Sequence, residues 1–128
     1  MTARSAVPVA LPLSISESVS VSGPGRWVHV SGQIPSAAAG AILDGAPEEQ
    51  VSAAFDNLER ALGRAGAALA DVVKTTLFLT DLAWLPIVER VRATRVGDPP
   101  PASSAVQVAA LYGGARIEVE AVAFVAAG

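Results

Sequence analysis

The sequence predicts an α+β fold in which a single sheet carries its helices on one face. Several segments alternate apolar and small polar residues with the period of two that is typical of half-buried strands. Two other segments space their apolar residues three or four positions apart, as amphipathic helices do. The predicted order is strand, strand, a candidate short strand, helix, strand, helix, strand and strand. Two helices among so many strands favour one layer of helices on one sheet.

The first strands are predicted on either side of a turn. Residues 15–22 alternate, the Gly-Pro-Gly at 23–25 is a strong turn signal, and residues 27–30 form a second strand. The two strands are therefore expected to pair as a hairpin. Residues 35–45 are rich in Ala and Gly and are predicted to be a loop, with the candidate short strand at 41–43.

The first helix is predicted to begin at Pro47 and to end near Gly66. Proline suits a first helical position because no partner is needed there for an N–H. Two glutamates follow at the positive end of the helix dipole. The apolar stripe of this helix consists of Val51, Phe55, Leu58, Leu62 and Ala65.

The second half of the chain also contains strand-like and helix-like patterns. Residues 72–79 are rich in β-branched and apolar side chains and are predicted to be a buried strand. A second helix is predicted at 82–95, and strands are predicted at 104–108 and 117–124. Residues 1–14 are expected to be a flexible N-terminal arm and residues 15–128 a single domain.

Composition excludes several classes of function. The chain has no Cys, so disulfides, thiolate catalysis and Cys-based zinc sites are excluded, and a cytoplasmic location is expected. The net charge is -3 and Lys74 is the only lysine, which argues against nucleic-acid binding. No apolar run approaches the roughly 20 residues that cross a bilayer, and Pro8 and Pro12 interrupt the N-terminal stretch, so no signal peptide is expected. The 52% hydrophobic content suits an oligomer that buries apolar surface between subunits.

Three motifs together resemble one family. They are G-R-W-V-H-V-S-G-Q-I-P at 25–35, Q-V-S-A-A-F-D-N-L-E-R-A-L-G-R-A-G at 50–66, and P-A-S-S-A-V-Q-V-A-A-L at 101–111, followed by I-E-V-E-A-V-A at 117–123. From about Ile15 onward the chain resembles the RidA family, also called YjgF or L-PSP. The resemblance implies a chorismate-mutase-like α+β fold with a single mixed sheet and two helices on one face. It also implies a homotrimer with small-molecule sites in the clefts between subunits.

The resemblance also implies a chemistry and a set of site residues. Typical members hydrolyse enamines and imines, such as 2-iminopropanoate, to 2-keto acids and ammonia without a metal or an organic cofactor. An arginine fork grips the substrate carboxylate and a glutamate positions the attacking water. By motif position, the catalytic glutamate is Glu120 and the substrate-binding residues are Ser31, Gly32, Ser103 and Ser104. The family's cleft tyrosine has no clear counterpart, and Ile15 is the substrate-binding residue expected nearest to its position, with Ser16 as the alternative.

Two aligned positions depart from the family pattern. Ser103 stands where deaminating members carry the arginine, and Glu89 aligns with the family's usual Asn. A serine offers one neutral hydrogen bond, and losing a charged bidentate contact costs about 2–4 kcal/mol, or roughly 30- to 1000-fold in affinity. We therefore expect a substrate other than the usual 2-imino acid. Arg92 or Arg95 could supply a substitute cation, although surface ion pairing is the favoured role for both.

Other polar and aromatic residues have simpler interpretations. His29 is predicted to pack within its strand rather than to act as a base, and one histidine without Cys does not favour a zinc site. Trp27 and Trp84 are expected to be core or interface anchors. Arg26 and Arg116 are candidates to pair with the glutamates of the last strand.

Two alternatives to an imine hydrolase remain open on the sequence. One is a non-catalytic trimeric protein that binds a small molecule in its clefts. The other is an endoribonuclease, an activity named for some relatives, which the acidic balance and the lack of a basic stripe disfavour.

Overall fold

Six strands form one mixed sheet and two helices lie against it in a computed structural model that describes residues 1–128. The spatial order of the strands is β1-β2-β5-β4-β6-β3. Strand β5 runs parallel to β2 and β4, and the other pairs are antiparallel. The elements are β1 (Ala3–Pro8), β2 (Ser16–Ser22), β3 (Gly25–Gln33), α1 (Pro47–Arg64), β4 (Val72–Leu79), α2 (Leu85–Ala93), β5 (Ala102–Gln107) and β6 (Ile117–Ala126). The predicted α+β fold with a single mixed sheet is confirmed.

The core lies between the helices and one face of the sheet. Helix α1 has Pro47 in its first turn, followed by Glu48 and Glu49, as its sequence predicts. Its stripe packs on alternate residues of the central strands, because side chains in a strand project to opposite faces in turn. The buried cluster includes Val51, Phe55, Leu58 and Leu62 of α1, Val88 and Val91 of α2, and Leu77, Leu79, Ile117, Val119, Ala121 and Ala123 of the sheet.

The opposite face of the sheet, here called the open face, has no helix on it. Trp27 of β3 is 55% exposed there and its ring meets that of Phe124 edge-on, with the centroids 4.8 Å apart. Val106 of β5 is also exposed. Trp84 by contrast is buried in the core, where the guanidinium of Arg116 lies over its ring. The open face therefore presents apolar side chains that nothing within the chain covers.

The predicted hairpin of the first two strands is wrong. Strand β2 pairs along its length with β1 and, at Ser16, with β5, so both of its edges are used. Strand β3 instead pairs with β6 at the far edge of the sheet. The intervening turn needs glycine at Gly23, which has a φ of 103° and lies against the backbone of Met1 and Thr2.

The N-terminal segment also differs from the expected flexible arm. Residues Ala3–Pro8 form an edge strand, and Arg4 ties that strand to the domain by donating to the carbonyls of Ala70 and Val72 at 2.6 and 2.9 Å. The segment has small side chains and gives no strong apolar period, so its strand character comes from pairing with β2. The candidate strand at 41–43 is limited to one bridge between Ser36 and Ile42. No helix here is both long enough and apolar enough to span a membrane.

Leu58→Ala tests the core between α1 and the sheet. Leu58 is fully buried, so its truncation should lower the free energy of unfolding by about 2–5 kcal/mol. Urea unfolding followed by circular dichroism measures the change. Glu59→Ala, at the exposed neighbouring position, is the control and should shift stability by less than about 0.5 kcal/mol. Equal effects of the two substitutions would contradict the packing described here.

Candidate functional site

A row of polar side chains crosses the open face at Glu120. Glu120 of β6 lies opposite Thr76 of β4, and Thr76 lies opposite Ser104 of β5. Paired residues of neighbouring strands project from the same face. Lys74 Nζ donates to Ser104 Oγ at 3.0 Å, so a cation borders the row. The sequence-predicted residues Glu120 and Ser104 are thus brought onto one surface.

A β-bulge adds Ser31 and Gly32 to this row. Val30 pairs with Ala121 and Gln33 pairs with Val119, so two residues of β3 face the single residue Glu120. Such bulges bend a strand and redirect its side chains. A Cβ at position 32 would overlap the carboxylate of Glu118 in its present rotamer, so the absence of a side chain at Gly32 leaves room for Glu118 beside the bulge.

The carboxylate of Glu120 is free within the chain. It is half-buried and borders a cavity of about 160 Å³ together with His29, Lys74 and Thr76. Glu120 makes no hydrogen bond or ion pair within the chain, so its oxygens can accept hydrogen bonds from water or a ligand.

The neighbouring arginines do not reach Glu120. Arg26 Nη2 donates to the carbonyl of Gly66 at 3.1 Å, and Arg116 lies over Trp84. The predicted packing role of His29 is not borne out, because His29 is exposed on the open face and lies in the wall of the cavity. Sequence reasoning also missed Lys74 and Thr76, although both are polar residues at alternate positions of a strand whose other residues, except Thr75, are apolar.

Ser103 lies on the other face of the sheet, under helix α2. Its hydroxyl accepts a hydrogen bond from Thr75 Oγ1 at 2.8 Å, and Thr75 is 7% exposed. Arg92 Nη1 of α2 is 3.5 Å from the same hydroxyl. Arg92 Nε donates to Glu89 Oε2 at 2.9 Å, and the other oxygen of Glu89 accepts the N–H of Ser14. We call Ser14, Thr75, Glu89, Arg92 and Ser103 the α2 cluster.

The α2 cluster places an ion pair, and not a lone cation, next to Ser103, the residue at the position of the motif arginine. Burial raises the pKa of Glu89, but the hydrogen bonds from Arg92 and Ser14 and the charge of Arg92 outweigh it, so this pKa lies below its usual range. Glu89 and Arg92 are therefore both ionised at neutral pH and form an ion pair. Arg95, the other candidate substitute, instead pairs with Asp56 at 2.6 Å.

The sequence-predicted residues thus fall into two groups. Ser31, Gly32, Ser104 and Glu120 lie on or beside the open face, whereas Ser103 lies toward the helices. Ile15 follows Ser14 of the α2 cluster and immediately precedes β2. The two groups are separated by the backbone of the sheet, so no cleft within one chain contacts both.

A cavity larger than the one at Glu120 lies away from both groups. It measures about 530 Å³ and lies between the loop after β3 and the polar side of α1, where Arg60 and Arg64 border it. Asn57 holds that loop by donating to the carbonyls of Ile34 and Ser36 at 2.8 and 3.0 Å. None of the predicted site residues borders this cavity. No group of three or more His, Cys, Asp or Glu side chains is placed to hold a metal ion.

A single mixed sheet with two helices on one face and a bulged polar row on the other defines a class of small α+β proteins. Comparison with known proteins identifies the family. The family model described as Endoribonuclease L-PSP matches residues 3–125. The chain belongs to this family, the RidA, YjgF or L-PSP family, as its motifs predicted.

Three similar proteins illustrate the relationship. The 2-iminobutanoate/2-iminopropanoate deaminase of Rattus norvegicus is 41% identical over 101 residues, which cover 77% of this chain and 72% of the relative. The RidA structure from an Antarctic Psychrobacter species is 30% identical, covers 94% of each chain and has a TM-score of 0.74. The E. coli TdcF structure with bound serine is 29% identical, covers 81% of this chain and 90% of that one, and has a TM-score of 0.70.

Glu89→Gln tests the ion pair of the α2 cluster through the pH dependence of stability. The folded-state pKa of Glu89 is lowered, so its stabilisation is present above the unfolded value of about 4.3 and is lost as the pH falls through the folded value. At pH 7 the variant should be less stable than wild type by about 1–3 kcal/mol. That difference should shrink below about pH 4.

Thermal unfolding of both proteins between pH 3 and pH 8 measures this effect. Glu48→Gln is a matched control, because Glu48 pairs with Arg90 at 3.8 Å and both side chains are about 60% exposed. It should cost little at any pH. A stability difference for Glu89→Gln that stays constant down to pH 3 would show that the charge of Glu89 has no part in it.

Proposed function

We propose that this chain hydrolyses imines or enamines, releasing ammonia, and that it does so as a cytoplasmic homotrimer with its sites in clefts between subunits. The observation that carries this proposal is the half-buried, unpartnered carboxylate of Glu120 in the open-face cavity. The similarity to a protein named 2-iminobutanoate/2-iminopropanoate deaminase supports the reaction class.

Glu120 acts in this proposal as the base and then the acid. The oxygen of a water bonds to the carbon of a protonated imine, the π electrons move to nitrogen, and Glu120 takes a proton from the water. Glu120 returns that proton to the nitrogen, and the C–N bond breaks with its electron pair leaving on ammonia. The remaining hydroxyl becomes a carbonyl as Glu120 accepts its proton, which then passes to ammonia to give ammonium. An enamine enters this sequence after its β-carbon takes a proton from solvent.

The substrate is proposed to be a neutral or cationic imine without the carboxylate of a 2-imino acid. Ser103 offers a neutral hydroxyl where the family motif has a guanidinium. The nearest cation to that hydroxyl, Arg92, is already paired with Glu89. A neutral ion pair attracts an anion far less than a lone guanidinium does. Glu120 itself repels anions and attracts a protonated imine.

A second copy of the chain would join the two groups of site residues. Within one chain the polar row and the α2 cluster lie on opposite faces of the sheet, so a substrate that contacts both needs one group from each of two subunits. The open face carries exposed apolar side chains at Trp27 and Val106. Apolar patches of this kind are usual at subunit contacts.

Glu120→Gln tests the catalytic proposal. A simple imine without a carboxylate is generated by a flavin-dependent amine oxidase, and its decay is compared with and without the protein. Wild type should accelerate the decay, and Glu120→Gln should reduce this acceleration by about 10²- to 10⁴-fold, because the amide cannot accept the proton. Glu59→Gln on the exposed side of α1 is the control and should retain full activity.

The same assay with 2-iminopropanoate, generated by an amino-acid oxidase, tests the substrate class. Wild type should be at least about 30-fold slower on it than on the neutral imine. Wild-type hydrolysis of 2-iminopropanoate at the higher rate would refute the proposed substrate class. Binding of the neutral imine's product without any acceleration of decay would instead favour the non-catalytic binding protein.

Trp27→Glu tests the assembly. Wild type should scatter light as a particle of three times the mass of one chain. A carboxylate at position 27 would have to be desolvated at the proposed contact, so the variant should dissociate and lose imine hydrolysis with it. Glu17→Gln, an exposed substitution on β2, should leave the mass unchanged. A monomeric wild-type protein with full activity would remove the intersubunit cleft from the proposal.

A further inference from the structure

Arg92 is a buried cation with unused hydrogen-bonding capacity. The residue is 4% exposed, its Nε donates to Glu89, and its Nη1 is 3.5 Å from Ser103 Oγ. Its Nη2 has no hydrogen-bond partner within the chain, although a guanidinium carries five N–H donors. A planar, partly unsatisfied guanidinium beside Ser103 has the chemistry of a carboxylate-binding group.

Glu89 is the more exposed partner of this ion pair. Its side chain is 20% exposed and that of Arg92 is 5% exposed, so the carboxylate is the more accessible of the two charges. Both oxygens of Glu89 are held, one by Arg92 Nε and one by the N–H of Ser14. An arriving anion would therefore be repelled by Glu89 about as strongly as it is attracted by Arg92.

We infer that Glu89 is a specificity-determining residue that closes an anion site which Arg92 would otherwise provide. The inference rests on the proposed function in one respect, namely that the α2 cluster borders the substrate cleft. Glu89, as much as Ser103, then excludes small carboxylates such as those of 2-keto and 2-imino acids.

Removal of the charge at position 89 should open this site. Glutamine keeps an oxygen that can accept from Arg92 Nε, but it leaves the guanidinium as an uncompensated buried charge. Such a charge is strongly unfavourable until a counterion reaches it. A small carboxylate that contacts Nη2 and the hydroxyl of Ser103 would supply that counterion and would stabilise the folded protein.

Pyruvate binding to Glu89→Gln tests the inference without turnover. Pyruvate is titrated into wild type and variant, and binding is followed by melting temperature and by calorimetry, with sodium chloride at equal ionic strength as the reference. Glu89→Gln should bind pyruvate on the order of tenfold more tightly than wild type. Pyruvate, but not chloride, should raise the melting temperature of the variant by several degrees.

Matched variants assign the effect to Arg92. The double variant Glu89→Gln/Arg92→Gln should lose the gain, because the guanidinium is absent. Glu48→Gln also removes a carboxylate from an arginine of α2, but at an exposed pair, and should bind pyruvate as wild type does. Glu89→Asn is a second route to the same charge change should Glu89→Gln fold poorly. A pyruvate affinity that is unchanged in the folded single variants, or a gain that persists without Arg92, would overturn the inference.

The binding and turnover assays separate this inference from the proposed function. A protein that hydrolyses no imine but gains pyruvate binding through Arg92 supports the inference while the proposed function fails. Hydrolysis of a neutral imine by wild type, with no gain of pyruvate binding in Glu89→Gln, supports the proposed function and overturns the inference.

Discussion

The alternation of side chains along β4, β5 and β6 is the constraint on which the core and the site both depend. In β4, Thr75, Leu77 and Leu79 project toward the helices, whereas Lys74 and Thr76 project from the open face. The same period separates Ser103 from Ser104, so adjacent residues of one motif belong to different surfaces. A shift of register by one residue would exchange the two sets, and the burial of Leu77 and Leu79 forbids that shift.

The local patterns predicted the elements better than their pairing. Pro47 and the apolar stripe placed α1 within a few residues, and the β-branched run placed β4, because period and burial are local properties. The predicted pairing of β2 with β3 was wrong because the Gly-Pro-Gly at 23–25 determines that the chain turns but not which strands pair. Strand partners depend on which edges other strands occupy, and β1 takes the edge of β2 that a hairpin would use. Its small side chains gave no signal of this.

The motif positions of the candidate site were predictable, but its electrostatics were not. Glu120, Ser31 and Gly32 are the motif positions, and the structure places Ser31 and Gly32 in a bulge opposite Glu120. The spacing of Glu89 and Arg92 by three residues is visible in the sequence and is a usual helix pair. The sequence does not show that Arg92 is buried beside β5. Burial there places the Glu89–Arg92 ion pair next to Ser103 instead of on the protein surface.

The Glu89–Arg92 ion pair differs from the family's motif arginine, which Ser103 replaces, in how strongly it attracts a carboxylate. Buried ion pairs are weak evidence for stability, since apolar residues of similar size often serve as well. The proposed substrate specificity would give this pair a functional role. A lone guanidinium under β5 would attract carboxylates, whereas a guanidinium with its own carboxylate keeps the hydrogen-bonding geometry and cancels the attraction. The hydroxyl of Ser103 bonds with Thr75 and lies 3.5 Å from Arg92 Nη1, and in the proposed function selection at this position depends on hydrogen bonding and shape rather than on charge.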